Sequence, residues 1–165
     1  MKKKWVTLAI ITFLYSLTAQ ASLLGFYGKF YGGYSGKDLY KVPDMDEVMA
    51  RAALSYQGSP GWELELSHLF IGKGLLQNTL EGTCKTLLPL SNSLNLYGKL
   101  GFAWKEKLRA PVAGAGIRYN LSNDVILEAS WTRTFILDNK LFNDAGYPPG
   151  HTDAIMLGVA YYLLG

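Results

Sequence analysis

Residues 93–135 read SLNLYGKLGFAWKEKLRAPVAGAGIRYNLSNDVILEASWTRTF, and this stretch decides the fold. Within 94–104, every second side chain is a large apolar residue or glycine. The intervening positions are Asn95, Tyr97, Lys99, Gly101 and Ala103. Period-two alternation over about 9–11 residues predicts a β-strand long enough to cross a bilayer at a tilt.

Residues 125–135 repeat this alternation after a short SND turn. Leu127, Trp131 and Phe135 fall on one face, whereas Glu128 and Thr132 fall on the other. One face is therefore apolar with aromatic residues toward its end, and the opposite face is polar or small. Such strands suit a barrel with lipid outside and a polar interior. A soluble lipocalin-like barrel, with its apolar side chains inside, remains the alternative because the sequence does not say which face meets lipid.

The N-terminal residues 1–21 have the three features of a secretory signal peptide. Lys2, Lys3 and Lys4 precede an apolar core from Trp5 to Leu17, and Ala19-Gln20-Ala21 forms a small-residue cleavage site. The apolar core is shorter than the roughly 20 residues of a spanning helix. We therefore predict export, with a signal peptide at 1–21 and one β-barrel domain at 22–165.

Charge and cysteine content exclude several classes of protein. The formal net charge is +3, but three lysines and no acidic residues lie in the signal segment, so the remainder is close to neutral and nucleic-acid binding is rejected. The single cysteine, Cys84, precludes an internal disulfide. With only two histidines and no ligand spacing, the sequence predicts no metal site and no cofactor.

The alternation indicates an all-β protein, an eight-stranded antiparallel up-and-down transmembrane barrel. The predicted strands are 24–34, 48–56, 62–70, 80–88, 93–104, 110–121, 125–135 and 152–164. Tight links at 57–61, 89–93 and 121–124 alternate with links at 35–47, 71–79, 105–109 and 137–151, most of them longer and more polar. This alternation is typical of bacterial outer-membrane barrels, which have short periplasmic turns and longer surface loops.

The polar faces of these strands carry single charges, which we predict form an interior charge network. Charges inside a narrow barrel are tolerated only when they are paired. The predicted network consists of Lys29, Arg51, Glu63, Glu65, Lys85, Lys99, Arg118 and Glu128.

Four segments resemble the transmembrane domain of the outer membrane protein A (OmpA-like) family. They are GWELELSHLFIG (61–72), TCKTLLPLSNSLNLYGKLGFAW (83–104), PVAGAGIRYNLSNDVILEASW (111–131) and MLGVAYYL (156–163). The resemblance covers nearly the whole chain after residue 21. It implies an eight-stranded outer-membrane barrel with a side-chain-filled interior and variable surface loops.

The resemblance also carries residue-level implications. Glu63 and Lys85 fall at interior positions where the family has charges of those signs, and Lys99 matches an interior basic position. Arg118 and Glu128 fall at an acidic and a basic position respectively, so this pair is sign-swapped and still complementary.

The resemblance further implies partners in the bacterial outer membrane. These are membrane lipid, lipopolysaccharide and the barrel-assembly machinery. That machinery reads a C-terminal signal, which Gly158, Tyr161 and Leu163 approximate although the final residue, Gly165, is not aromatic. The chain ends at Gly165, so we do not expect the peptidoglycan-binding domain that follows the barrel in many family members.

We find no catalytic pattern in the sequence. Ser67 and His68 are neighbours on a strand and therefore point to opposite faces. His151-Thr152-Asp153 fits a polar loop end better than an active site. We expect a structural barrel protein that is not an enzyme. The alternatives are an adhesin or receptor acting through loops 35–47 and 137–151, and a barrel enzyme acting on outer-membrane lipid.

Overall fold

The computed structural model describes residues 24–36, 48–71, 78–106, 108–137, 144 and 149–164. Eight strands close into one antiparallel barrel in which each strand pairs with its neighbours in sequence and β1 pairs with β8. The strands are β1 (Gly25–Gly36), β2 (Val48–Ser59), β3 (Trp62–Ile71), β4 (Thr79–Pro89), β5 (Leu94–Lys105), β6 (Leu108–Asn120), β7 (Val125–Ile136) and β8 (Gly150–Leu164).

The predicted all-β barrel with eight strands is thus confirmed. The predicted signal segment 1–21 lies outside the described residues. No helix within the described ranges is long and apolar enough to span a membrane.

Three tight turns mark one end of the barrel, which we call the short-turn end. Two of them repeat the letters LSN and have the same hydrogen bonds: Ser91 Oγ accepts from the Leu94 amide at 3.1 Å, and Ser122 Oγ accepts from the Val125 amide at 3.1 Å. A serine hydroxyl that accepts a nearby backbone N–H stabilises such a turn locally. The opposite end, where β1–β2, β3–β4 and β7–β8 are joined by longer links, is called the long-link end.

The predicted link at 105–109 differs from the structure. β5 continues to Lys105 and β6 begins at Leu108, so only residues 106 and 107 join them. Lys105 and Leu108 are cross-strand partners, and Glu106 has a φ of +55°, the left-handed conformation of a tight hairpin. The polar residues Glu106 and Arg109 are exposed at this hairpin, which is shorter than the predicted five-residue link.

Strand β4 is more regular than its sequence suggests. Its predicted range 80–88 extends to Thr79–Pro89, and its burial alternates along the strand. The outward positions hold Gly82, Cys84 and Thr86, which are small, while Leu87 points inward and is buried. Small outward residues and an apolar inward residue together blur the hydrophobic contrast between the faces.

Candidate functional site

The outer surface of the barrel is apolar throughout its middle. Phe30 is 69% exposed, Leu100 69% and Leu157 67%, although all three lie in the centre of strands. Each is followed and preceded by an inward residue, as strand alternation requires. The arrangement is the reverse of a lipocalin-like barrel, whose apolar side chains line the inside. The structure therefore excludes that alternative.

Aromatic residues lie on the outer surface near both ends of the strands. At the short-turn end, the Phe26 and Tyr56 rings are 4.8 Å apart and the Tyr56 and Trp62 rings are 6.1 Å apart, measured between centroids. At the long-link end, Trp104 and Phe135 occupy outward positions. Aromatic bands at two levels are typical of the interfaces of a membrane barrel.

The interior contains all eight charged residues named from the sequence, each at most 4% exposed. Six of them form one cluster, the central cluster, composed of Lys29, Glu63, Glu65, Lys85, Arg118 and Glu128. Lys29 Nζ lies 2.6 Å from Glu63 Oε1 and 2.7 Å from Glu128 Oε1. Lys85 Nζ lies 2.6 Å from Glu65 Oε2 and 3.1 Å from Glu128 Oε2. Through these ion pairs, the central cluster links β1, β3, β4 and β7.

Arg118 completes the central cluster through a partner that the sequence did not indicate. Arg118 and Glu128 are cross-strand neighbours, as their positions suggested. The Arg118 Nη1 nevertheless donates to Glu63 Oε2 across the barrel at 2.8 Å. Lys85 Nζ also lies 3.3 Å from Glu63 Oε1, so that cross-strand pair is in contact. The central cluster thus contains three cations and three carboxylates.

Tyrosines inside the barrel bind the same carboxylates. The Tyr31 hydroxyl lies 2.8 Å from Glu128 Oε2 and 3.0 Å from Glu65 Oε2. The Lys85 ammonium lies 4.9 Å from the centroid of the Tyr97 ring. These contacts surround the buried charges with hydroxyl and π-electron partners.

A second group, the Glu81 cluster, comprises Arg51, Glu81 and Lys99. Arg51 forms a bidentate pair with Glu81, with Nη1 to Oε1 at 3.1 Å and Nη2 to Oε2 at 2.9 Å. Lys99 Nζ donates to Glu81 Oε1 at 3.2 Å. Glu81 was absent from the interior set predicted from the sequence. Glu81 and Lys85 lie an even number of positions apart on β4 and therefore face the same side of the sheet. This spacing would have placed Glu81 in the predicted interior set.

Apolar layers lie on both sides of the charged layer. Toward the long-link end, two buried clusters close the interior, one around Met49, Leu69 and Met156 and the other around Val112 and Ile136. Toward the short-turn end, Tyr27, Ile126 and Ala160 pack together. The charges are therefore enclosed by side chains above and below.

A further polar group lies on the outer surface at the long-link end of β7 and β8. Arg133 Nε and Nη2 donate to the two carboxylate oxygens of Asp153 at 2.7 and 2.8 Å. His151 Nε2 lies 3.8 Å from Asp153 Oδ2. The His151-Thr152-Asp153 segment therefore places histidine and carboxylate together, but strand alternation turns Thr152 to the opposite face. Similarly, Ser67 is buried inside while His68 is exposed outside.

The described residues contain no group of three or more His, Cys, Asp or Glu side chains suited to a metal ion. Most of the predicted ligand-binding loops, 37–47 and 138–148 apart from Asp144, lie outside the described residues. Binding through these loops remains a prediction.

Comparison with known proteins supports the fold. No protein-family model and no curated protein sequence matches this chain. Among solved structures, it is similar to the N-terminal β-barrel domain of Pseudomonas aeruginosa OprF, with 14% identity over 85% of this chain and 98% of that one and a TM-score of 0.59. It is also similar to the de novo designed barrel TMB2.3, with 16% identity over 88% of this chain and 99% of that one and a TM-score of 0.59.

A design described as a transmembrane β-barrel shares 20% identity over 84% of this chain and 95% of that one, with a TM-score of 0.56. Identities this low establish a shared fold, that of small transmembrane β-barrels, and nothing about activity.

Proposed function

We propose that this chain is an integral protein of the bacterial outer membrane, of the OmpA-like class, with a structural role and no catalysis. The observation that carries the proposal is the sorting of side chains between the two faces of a closed barrel. Exposed aliphatic and aromatic residues cover the outside, while the charges inside are buried and ion-paired.

The apolar exterior favours lipid over water as the surroundings. Soluble monomers rarely expose contiguous apolar patches larger than a few hundred Å². Here an apolar belt crosses all eight strands, with Leu54, Leu66, Leu100 and Leu157 at least half exposed. Closure of β1 onto β8 also satisfies the backbone polar groups that hydrocarbon cannot solvate. Both features suit a bilayer.

Export, strand count and link length support the outer membrane in particular. The predicted signal peptide at 1–21 directs the chain out of the cytoplasm. An even number of strands places both ends of the barrel domain on the same side, with the short-turn end, which we assign to the periplasm. The long-link end then faces the cell surface. The assembly machinery and outer-membrane lipid are the partners that this placement requires.

The filled interior disfavours a wide diffusion pore. Lys29, Glu63 and Lys85 are each at most 1% exposed, and apolar layers cover the charged layer on both sides. Eight-stranded barrels leave an interior that side chains can fill. The proposed role is therefore that of a rigid barrel that presents loops at the cell surface.

The test is fractionation of cells followed by electrophoresis with and without boiling. A closed membrane barrel resists cold detergent and migrates at a different position from the boiled chain. We expect the protein in the outer-membrane fraction with this heat-dependent shift. Recovery from the soluble periplasm, with one mobility under both conditions, would contradict the proposal.

Absence of catalysis is tested separately on membrane lipid. We expect the mass spectrum of lipid A to be the same with and without the gene. A change restored by the wild type but not by His151→Ala would instead favour the barrel-enzyme alternative.

A further inference from the structure

The outer face of the barrel is interrupted by a groove over β4, β5, β6 and β7. It has a volume of about 400 Å³, and the residues that line it include Cys84, Thr86, Gly98, Leu100, Ala113 and Trp131. Four of these are small, so the surface between the larger side chains of Leu100 and Trp131 is depressed. The groove lies within the apolar belt and is open to the surroundings of the barrel.

The strand register shows why the groove forms and which way it runs. Thr86, Gly98, Ala115 and Trp131 are consecutive cross-strand partners and form one row. Cys84, Leu100, Ala113 and Arg133 form the adjacent row. Four strands spaced by about 4.8 Å give each row a length of roughly 14 Å.

Each row climbs from one end of the barrel toward the other, because strands in a closed barrel are tilted. In the first row, Thr86 lies three residues from the short-turn end of β4 and Trp131 lies six from that end of β7. In the second row, Cys84 lies five residues and Arg133 eight residues from the same end. Arg133 borders the long-link end of the groove, because its cross-strand partner Ala113 and the neighbouring Trp131 ring both line it. The lining itself is small or apolar apart from Lys99, whose ammonium donates to Glu81 inside the barrel.

Arg133 is oriented at this end by two contacts. Its guanidinium is held by the bidentate pair with Asp153 and lies 5.4 Å from the centroid of the Trp131 ring. The pair uses one N–H on Nε and one on Nη2, out of the five that a guanidinium carries. The remaining three N–H groups have no hydrogen-bond partner among the residues described here.

We propose that this groove binds one acyl chain of the phosphorylated glycolipid of the outer leaflet, the lipid A class, with a phosphate on Arg133. The inference rests on the proposed function, because it requires the long-link end to lie at the cell surface. The choice of ligand follows from chemical complementarity. A groove in the lipid-facing belt can bind a hydrocarbon chain, and the planar guanidinium beside its long-link end can bind a phosphate through paired hydrogen bonds. Arg109, exposed on the outer face of β6 toward the same end, adds positive charge nearby.

Two glycines provide a matched pair of variants for the experiment. Both Gly98 and Gly32 are exposed on the outer face, and a Cβ added at either position meets no atom within 4 Å. Gly98→Leu fills the groove, whereas Gly32→Leu adds the same side chain on β1, outside it. A difference in lipid A retention between the two variants is therefore due to filling of the groove and not to the added hydrophobic side chain.

The measurement is native mass spectrometry of the full-length protein purified from outer membranes and exchanged into detergent with phosphorylated lipid A. We expect wild type and Gly32→Leu to retain one lipid A. Gly98→Leu is expected to reduce lipid A retention about tenfold. This is the effect of about two methylene groups of the acyl chain losing their contact with the groove. Arg133→Gln/Asp153→Asn, which removes both charges together, is expected to reduce retention by a similar factor, and dephosphorylated lipid A to bind wild type equally weakly.

Equal retention by Gly98→Leu and Gly32→Leu would overturn the inference. A dimer of the wild type that Gly98→Leu dissociates would also overturn it, because the groove would then be an interface between two copies. Both results leave the proposed function intact if the variants still show the heat-dependent shift in the outer-membrane fraction. If the wild-type protein is not found in the outer-membrane fraction, both the inference and the proposed function are contradicted.

Discussion

The two charged clusters inside the barrel differ in their balance of charge. The central cluster has three cations, Lys29, Lys85 and Arg118, and three carboxylates, so every charge is compensated locally. The Glu81 cluster has two cations and one carboxylate. The same kind of substitution should therefore have different consequences in the two clusters. We expect local charge balance, and not the number of ion pairs, to determine how much each charged residue contributes to stability.

The largest effect is expected from Glu81→Gln, which leaves Arg51 and Lys99 without their shared carboxylate. Removing one partner of a buried ion pair destabilises by about 3–5 kcal/mol, because the remaining charge stays buried without compensation. Urea unfolding of the protein in lipid vesicles, followed by the mobility of the unboiled protein on gels, measures the change. Glu106→Gln at the exposed β5–β6 hairpin is the control. An unfolding midpoint equal to that of the wild type would contradict the assigned role of Glu81.

Replacing a lysine by methionine in each cluster tests the comparison directly. Lys85→Met leaves three carboxylates with two cations and should cost about 3 kcal/mol. Lys99→Met leaves the bidentate Arg51–Glu81 pair balanced, so its cost should stay below about 1 kcal/mol. The same unfolding assay compares them. Equal losses of stability in the two variants would show that local charge balance does not determine the contribution of the interior charges to stability.

Interior and exterior glycines should respond differently to the same added methyl group. A Cβ at Gly158 would overlap the Tyr31 ring, whereas one at Gly98 meets nothing within 4 Å. Overpacking of this kind costs about 1–3 kcal/mol, so Gly158→Ala should lower the free energy of unfolding while Gly98→Ala leaves it nearly unchanged. A Gly158→Ala variant as stable as Gly98→Ala would disprove the close approach of β8 to Tyr31.

An effect smaller than that of Gly158→Ala is expected from Tyr31→Phe. This change removes the hydroxyl that lies between Glu65 and Glu128 but keeps both carboxylates paired with lysines. The loss of hydrogen bonding should cost about 1–2 kcal/mol. Tyr56→Phe, whose ring lies on the outer face, should give no shift in the unfolding midpoint. If Tyr31→Phe behaves like Tyr56→Phe, the hydroxyl has no part in holding the carboxylates.

The strands were predictable from the sequence because alternation needs only neighbouring residues. In β5 and β7, large apolar side chains occur at every second position and identify the outward face directly. In β4, small outward residues such as Gly82 hide the same alternation. The inward position of Glu81 was therefore missed. The short link at 105–109 was predicted as five residues and not as a two-residue hairpin, because its polar composition does not show where the flanking strands end.

Which charges meet inside the barrel could not be predicted from spacing. Lys29 and Glu128 are 99 residues apart, and only closure of β1 onto β8 brings them together. The family resemblance made Arg118 and Glu128 complementary in sign, and they are cross-strand partners, but the Arg118 guanidinium donates across the barrel to Glu63. The outward ion pair of Arg133 and Asp153 was also missed, since neither residue fits an apolar face. The pairing of interior charges depends on closure of the barrel and on how far each side chain extends across it. Neither can be inferred from the spacing of neighbouring residues in one sequence.

The face of the barrel that meets lipid distinguishes a membrane barrel from a soluble one, and Cys84 can report it. It is the only cysteine in the sequence and is exposed on the outer face of β4. A nitroxide attached to Cys84 in bilayers should collide frequently with oxygen, which dissolves in lipid, and rarely with a water-soluble nickel chelate. The control, Cys84→Ser/Asn123→Cys, places the label on an exposed short turn, where the chelate should dominate. Collision of the chelate with Cys84 at the rate found for the control would contradict the membrane barrel.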